Sequence, residues 1–487
     1  MNAFSRRGAC PALSAPMQTG DGLLVRLNPV AGGLAPKSLI GLGESALRHG
    51  NGIMEVTARG SLQIRGLTAE SARLLAAEVD ALGIAVRSGV PVEIGPLAGI
   101  DPHEVVDPRP LAERIRAAIE EAGLTVRLGP KVSVIVDGGG QLGMDALTAD
   151  VRLRAVRTGD GVLWRVSVAG DPPGARPLAT VDADAACDIA VAALRMVAER
   201  GREAHTRDLS ERQLNSLAGW HSVAPLSVLP DISPARGEIG SVDAGSPFST
   251  LQIGETIGES VISPLEGEMS GRTEGGASRK PIGLFPLAGD TFTLGIGLPY
   301  GSMPAEKLVA LTQSALSLGA SEIRLAPGRA LLFLGLSVPS SLQASAATLG
   351  FVTNPADPRT RIAACPGTPA CASGRIATRA IAEAIAKQSA DLLDASLILH
   401  VSGCAKGCAH PGAAMLTLVG DENGAGLVVD GTAKALPAGY RPGYDAARGI
   451  AGILAALRAQ RHQGETAAAC LTRLGAAGIA ELYRRNQ

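Results

Sequence analysis

The feature that most restricts the fold is an internal repeat whose copies lie far apart in a chain of 487 residues. The pattern from Ser45 to Leu67 recurs from Ser314 to Leu336 at a constant offset of 269 residues. Upstream, the segment from Pro29 to Pro36 is echoed from Pro299 to Pro304, again before a helix-like stretch. Two copies this distant indicate a duplicated module whose halves are related by a pseudo-twofold axis.

The first copy has the periodicities of a small α+β unit. Alternating apolar residues predict strands, and helical spacing after a proline predicts one helix. The predicted strands are 23–27, 53–57 and 61–65, the last two flanking a turn at residues 58–60, and the predicted helix is 36–49.

Three arginines, Arg26, Arg59 and Arg65, lie on or beside strands of this predicted sheet. Arginine is usually a solvated surface residue, but guanidinium groups on neighbouring strands can also bind an anion. At the matching positions of the second copy, Arg59 is replaced by Gly328 and Arg65 by Leu334. We therefore expect the first copy to face a charged ligand and the second to act mainly as scaffold.

A larger module is also repeated. The order loop, helix, strand and glycine-rich turn occurs between residues 94 and 140 and again from Pro366 to Gly407. Four of the seven cysteines lie within or directly beside this second occurrence, as Cys365-Pro-Gly-Thr-Pro-Ala-Cys371 and Ser402-Gly-Cys404-Ala-Lys-Gly-Cys408. Closely spaced thiolates can converge on one centre, and soft sulfur ligands favour zinc or iron–sulfur.

A zinc staple, a disulfide pair and unconnected buried thiols are the alternatives to an iron–sulfur cluster. The five-residue gap between Cys365 and Cys371 is longer than the usual spacing of zinc ligands. Disulfides need an oxidising compartment, which nothing in the sequence indicates. The pattern therefore favours a cluster.

Cys-x5-Cys followed by Ser-Gly-Cys-x3-Cys resembles the 4Fe–4S signature of the sulfite and nitrite reductases. In that family the four cysteines hold the cluster, and the last also bridges to the iron of sirohaem. The resemblance continues through residues 416–418, the expected strand after the cluster loop, and departs at Met415, where the family usually has an acidic residue. Lys406 and the His410-Pro411 step are more similar to the precorrin-3B synthases, the oxygen-using branch of this superfamily in aerobic cobalamin synthesis.

The resemblance implies an α+β fold with duplicated ferredoxin-like half-domains and two pseudo-symmetric α/β modules, the second carrying the 4Fe–4S cluster. The segment 229–280 is rich in Gly, Ser, Pro and Glu, which predicts a flexible inserted linker. The expected boundaries are 1–70 for the first half-domain, 71–228 for the cluster-less module, 229–280 for the linker, 281–350 for the second half-domain and 351–487 for the cluster module and C-terminal helices.

The resemblance also assigns basic residues to the substrate. Arg26 and Arg59 match family positions that surround the substrate anion, and we expect Arg65 beside them to contribute. Lys131 matches the first lysine of a Lys-x-Lys strand whose second lysine is Ser133 here. The segment 96–102, where the reductases place an asparagine–arginine pair, has no basic residue. This partial loss of positive charge argues against sulfite reduction.

For the oxygen-using branch, the resemblance implies a monooxygenase that hydroxylates precorrin-3A at carbon 20 with dioxygen and helps to close a γ-lactone. The cluster would relay electrons from a separate donor protein or reductase supplied by NAD(P)H, a non-haem iron would activate oxygen, and sirohaem would be absent. His410, beside Cys408, is the candidate iron ligand, with His49 and His221 as other possibilities.

Two other functions remain open from the sequence: a sirohaem-dependent sulfite or nitrite reductase, and a non-catalytic electron-transfer or tetrapyrrole-carrier protein. A formal net charge of −1 argues against a general nucleic-acid binder. No stretch approaches ~20 uninterrupted apolar residues, so we expect no membrane span and a cytoplasmic location.

Overall fold

The structure, a computed structural model, divides into two compact units, Met1–Ser88 with Lys280–Gln487 and Gly89–Arg279. His221 and most of the predicted linker lie outside the described residues. No helix in the part of the chain that is described is long and apolar enough to cross a membrane. The described residues are 11–30, 32–159, 161–170, 174–219, 232–233, 238–239, 268–269, 272–273, 279–289, 291–390 and 393–485.

The first half-domain is an antiparallel sheet with two helices. Pro36 begins the first helix, where its missing N–H costs no hydrogen bond, and Thr68 caps the second by accepting from the Ser71 N–H. The compact unit that contains this half-domain runs to Ser88, beyond the boundary expected at residue 70. Its elements are β1 (Met17–Thr19), β2 (Gly22–Leu27), β3 (Gly33–Leu34), α1 (Pro36–His49), β4 (Ile53–Val56), β5 (Leu62–Leu67) and α2 (Ala69–Ala81).

The second compact unit contains the cluster-less module. Its sheet has the order β10-β9-β8-β7-β6, with β6, β7 and β8 parallel and the other pairs antiparallel. Lys131, predicted on a strand, instead lies in an exposed turn before the strand Val134–Asp137, and Cys187 is buried on the helix Ala183–Arg200. The elements are β6 (Val92–Ile94), α3 (Arg109–Glu121), β7 (Val134–Asp137), β8 (Ala149–Thr158), β9 (Gly161–Gly170), β10 (Arg176–Val181), α4 (Ala183–Arg200), α5 (Glu211–Ala218) and the short strands β11 (Ile232–Ser233), β12 (Glu238–Ile239), β13 (Glu268–Met269) and β14 (Arg272–Thr273).

The second half-domain repeats the order of the first. It confirms the duplication, because its strands pair in the same antiparallel sequence, β15-β16-β19-β18. Its elements are β15 (Gly283–Pro286), β16 (Phe292–Gly297), β17 (Ser302–Pro304), α6 (Ala305–Ser317), β18 (Glu322–Ala326), β19 (Ala330–Leu334) and α7 (Pro339–Leu349).

Each half-domain lends a short strand to the sheet of the other. The strand β17 pairs with β4, where Ser302 faces Glu55, and β3 pairs with β18, where Gly33 faces Arg324. The helices α1 and α6 pack together, and one apolar core contains buried side chains of both copies. Because these strands directly precede α1 and α6, the exchange places the two helices side by side.

The cluster module has the same sheet order and strand directions as the cluster-less module. Its first three strands are parallel and the remaining pairs antiparallel, in the order β20-β21-β22-β23-β24. This confirms two pseudo-symmetric α/β modules. The elements are β20 (Ile362–Ala364), α8 (Thr378–Gln388), β21 (Leu399–Ser402), β22 (Ala414–Asp421), β23 (Gly424–Gly431), β24 (Gly439–Arg441), α9 (Ala446–Gln460) and α10 (Ala467–Arg484).

Candidate functional site

The two cysteine pairs follow adjacent parallel strands. Cys365 comes directly after β20, and Cys404 follows β21 by two residues, so both lie at the carboxyl edge of the sheet. The Gly403 N–H donates a hydrogen bond to Cys365 Sγ at 3.1 Å. The sheet therefore brings residues 38 positions apart into direct contact.

Glycines allow the two cysteine loops to touch. A Cβ added at Gly403 would lie 3.2 Å from the Cα atoms of both Gly367 and Gly374 and 3.5 Å from Cys365 Sγ. The Arg375 N–H also donates to the Gly403 carbonyl at 2.8 Å. Backbone packs on backbone here, so a side chain at Gly403 would crowd both loops.

The other three thiols of the two pairs act electrostatically on Cys408. Although the residue is exposed, partial desolvation of its thiol raises the pKa of Cys408, and Cys365, Cys404 and Cys371 raise it further in that order. Metal binding favours the deprotonated sulfur. A bound cationic centre would therefore relieve the repulsion among neighbouring thiolates.

The four thiols are a donor set that a metal centre can use. Among the described residues, no group of three or more His, Cys, Asp or Glu side chains lies close enough together to hold a single metal ion. Iron–sulfur clusters are commonly held by four cysteine thiolates, so the residue types present are chemically suited to one.

A buried histidine lies beneath the second cysteine pair. His400, on β21, is 0% exposed, and neither of its ring nitrogens has a hydrogen-bond partner in the described structure. Its ring meets that of His410 edge to face, with centroids 5.8 Å apart. Burial, with smaller contributions from His410 and Arg329, lowers the pKa of His400 to about 4. The imidazole is therefore neutral.

His410 and His49 have other contacts. The Nε2 of His410 hydrogen-bonds to the Ala413 carbonyl at 3.1 Å. His49 Nε2 lies 2.9 Å from Glu78 Oε1, which joins α1 to α2. Neither histidine belongs to a group of three potential metal ligands in the described part of the chain.

Arg65 lies inside a network of charges. Its side chain donates to Asp21 at 2.9 and 3.0 Å, to Glu55 at 3.4 Å and to the Ala370 carbonyl at 2.5 Å. Burial acts to raise the pKa of Asp21, but hydrogen bonds from Arg65 and other groups keep it below its usual value. Arg65 thus connects the first half-domain to the loop that carries Cys371.

Arg379 of α8 completes this connection. It donates to Glu55 and, at 3.0 Å, to Ser302 Oγ. A cavity of about 350 Å³ lies beside these groups, lined in part by Asn51, Ala370 and Arg379. Its volume is at the lower end of the range for ligand pockets.

The other predicted basic residues, Arg26, Arg59 and Lys131, differ in burial and in their contacts. Arg26 and Arg59 are both half-buried. With its amide oxygen facing Arg26, Gln63 accepts from Nη2 at 2.8 Å and Nε at 3.0 Å, and its nitrogen donates to Glu55 at 3.1 Å. Arg59 lies in the turn between β4 and β5, and Lys131 belongs to the other compact unit.

Sequence reasoning missed Arg329 and His400. From the second half-domain, Arg329 Nη2 donates to the carbonyl of Ala409, the neighbour of Cys408, at 3.0 Å. A search for arginines present only in the second copy could have revealed Arg329, since the corresponding residue of the first copy is Gly60. His400 carries no sequence signal, because its burial depends on the packing of the sheet.

Known proteins provide an independent comparison. Residues 15–82 match the family model of the nitrite/sulfite reductase ferredoxin-like half domain. The chain is 37% identical over 485 residues to a precorrin-3B synthase of Sinorhizobium sp., covering 99% of this chain and 96% of that relative. The structure of the NirA protein of Mycobacterium tuberculosis matches with a TM-score of 0.67 at 17% identity, over 94% of this chain and 84% of that one. The likeness to the NirA structure shows a shared fold.

Proposed function

Because the chain belongs to the precorrin-3B synthase family, we propose that it is an oxygen-dependent monooxygenase converting precorrin-3A to precorrin-3B in cobalamin biosynthesis. The observation that carries the proposal is the identity of 37% across 99% of the chain, which includes both half-domains and both modules. In the overall reaction, one atom of dioxygen hydroxylates carbon 20 of the macrocycle while the ring A acetate closes a γ-lactone. The other oxygen atom leaves as water after uptake of two electrons and two protons.

Cys365, Cys371, Cys404 and Cys408 would hold a 4Fe–4S cluster. The position of Cys365 and Cys404 at one sheet edge, the Gly403 N–H donated to Cys365 Sγ and the effect of the other three thiols on the pKa of Cys408 support this assignment. When bound, the cluster supplies electrons one at a time. A hydrogen bond to a ligand sulfur stabilises the reduced, more negative state and so raises the reduction potential. A separate donor, supplied by NAD(P)H, would reduce it.

The described residues do not fit a mononuclear non-haem iron site. His410 would need two or more further ligands, and the described residues place no such group of side chains around it. His410 as the ligand of this iron therefore stays a prediction.

Arg26 and Arg59 would bind carboxylates of the substrate, since a polycarboxylate tetrapyrrole needs several cationic donors. Arg65 already compensates two carboxylates and supports a loop carbonyl, which favours a structural role for it. Lys131 is exposed and lies in the other compact unit, so its contribution stays a prediction.

The test combines composition with turnover. Protein purified without oxygen should show broad cluster absorption, about four iron and four sulfide per chain and no extractable sirohaem. With a reduced donor, it should consume dioxygen and precorrin-3A in equal amounts. Stoichiometric sirohaem would overturn the proposal in favour of sulfite or nitrite reduction. Binding of precorrin-3A without oxygen uptake would indicate a carrier.

A further inference from the structure

Arg329 occupies a backbone conformation that suits glycine. Its φ is 68°, and the equivalent residue of the first copy, Gly60, has φ 78°. Glycine adopts this left-handed conformation readily, whereas a residue with a side chain does so at a cost. The second half-domain thus has a strained arginine where the first has an unstrained glycine, and such strain is often associated with function.

The structure directs the Arg329 side chain toward Cys408. Gly301 leaves room for it, since a Cβ at Gly301 would lie 2.8 Å from Arg329 Cδ. The far end donates to the Ala409 carbonyl at 3.0 Å. No carboxylate of the described residues pairs with Arg329, and the charge that acts on it is another cation, Arg379.

His400 lies against the same loop as Arg329, because its ring meets that of His410 with centroids 5.8 Å apart, and His410 directly follows Ala409, whose carbonyl accepts from Arg329. It is fully buried, with both ring nitrogens unpaired in the described structure. A buried polar group without a partner is costly, and such a group in a folded protein commonly marks an absent ligand, water or ion. Because a guanidinium lies nearby, an anion suits this place better than a metal cation.

The turn that carries Arg329 also meets the turn that carries Arg59. The Gly328 N–H donates to the Ala58 carbonyl at 2.8 Å, which joins the hairpin tips of the two half-domains. The basic face predicted on the first copy is therefore continued by the second copy toward Cys408.

We propose that Arg329 and His400 form an oxyanion subsite beside Cys408 that binds one carboxylate of the substrate. The guanidinium supplies charge-assisted hydrogen bonds, and an imidazole N–H supplies another donor. That the carboxylate belongs to precorrin-3A rests on the proposed function. An inorganic oxyanion such as sulfite would use the same donors, so the experiment includes both.

The test is anaerobic equilibrium binding of precorrin-3A and, in a parallel titration, of sulfite, without turnover, to the cluster-loaded wild type and its variants. Arg329→Gly removes the guanidinium and relieves the backbone, and His400→Leu replaces the unpaired imidazole with an apolar side chain. Both variants should melt at or above the wild-type temperature, yet each should bind precorrin-3A about 10- to 100-fold more weakly, as for a lost charge-assisted hydrogen bond. Arg329→Lys should recover part of the affinity.

Arg324→Gln is the matched control, because this arginine of the same half-domain is paired with Glu322 at 3.0 Å. It should leave the affinity unchanged. Unaltered precorrin-3A affinity in Arg329→Gly would overturn the subsite, as would loss of sulfite binding alone, which would indicate an inorganic ligand. Loss of iron from His400→Leu with intact affinity would indicate a metal ligand instead. If the wild type itself binds no precorrin-3A, the proposed function fails.

Discussion

Replacing Arg65 with leucine separates a structural role from a role in substrate binding. Leucine is the residue at the equivalent position, 334, of the second half-domain. Arg65 is 3% exposed and connects Asp21, Glu55 and the Ala370 carbonyl. The substitution would therefore remove a buried cation from two carboxylates and a support from the Cys371 loop.

The expected loss of folding stability depends on which of the two carboxylates keeps a cationic partner. Removing one member of a buried ion pair costs about 3–5 kcal/mol. The side chains of Asp21 and Glu55 are only 16% and 5% exposed, so solvent screens them little. Glu55 would still be paired with Arg379, whereas Asp21 would lose its cation. We therefore expect a loss near the lower end of this range, about 3 kcal/mol.

Urea unfolding measures the loss in free energy of unfolding. Hydrogen exchange at β5 and in the 366–371 loop tests whether the destabilised region is the one around Arg65. Arg48→Leu is the matched control, because the Arg48–Glu78 pair has side chains 53% and 31% exposed. Exposed pairs contribute about 0–1 kcal/mol. If Arg65→Leu kept its stability within about 1 kcal/mol of wild type while binding precorrin-3A more weakly, the structural account would be refuted in favour of a substrate contact.

Three further predictions concern the cluster, the substrate and pH. Cys371→Ser should abolish the cluster, and unchanged iron and sulfide contents would contradict the ligand assignment. Arg59→Ala should weaken precorrin-3A binding about tenfold. Equal binding curves for the variant and the wild type would show that Arg59 is a solvated surface residue without a substrate contact. Burial and the charges of Asp101 and Asp107 raise the pKa of Glu104 to about 7, against the pull of the Gly99 N–H. Because the folded state holds this proton more tightly than the unfolded chain, the contribution to stability is complete below pH ~4.5 and is lost as the pH rises through ~7. Glu104→Gln should therefore flatten the dependence of the melting temperature on pH between 5 and 8, and a slope equal to that of wild type would exclude Glu104 as its source.

Local patterns predicted the duplicated architecture well. The helix expected over 36–49 is α1, and the strand expected after the cluster loop lies within β22, Ala414–Asp421. The long pairing of β8 with β9 and the exchange of β3 and β17 were not predicted. Strand exchange depends on which sheet edge lies nearby after folding, and the periodicity of one strand does not report that.

The sequence by itself determined the repeat, the two cysteine pairs and the family resemblance, because spacing and residue type are local properties. Only the tertiary structure decided how individual charges are used. Arg59 and Arg65 are alike in sequence, yet one lies in a half-buried turn and the other joins two carboxylates to a distant loop. Arg329 and His400 stood out only once folding had left them without acidic or hydrogen-bonding side-chain partners in the described structure. Burial and pairing arise from contacts between residues far apart in the chain, and those contacts set the free energy of each charge.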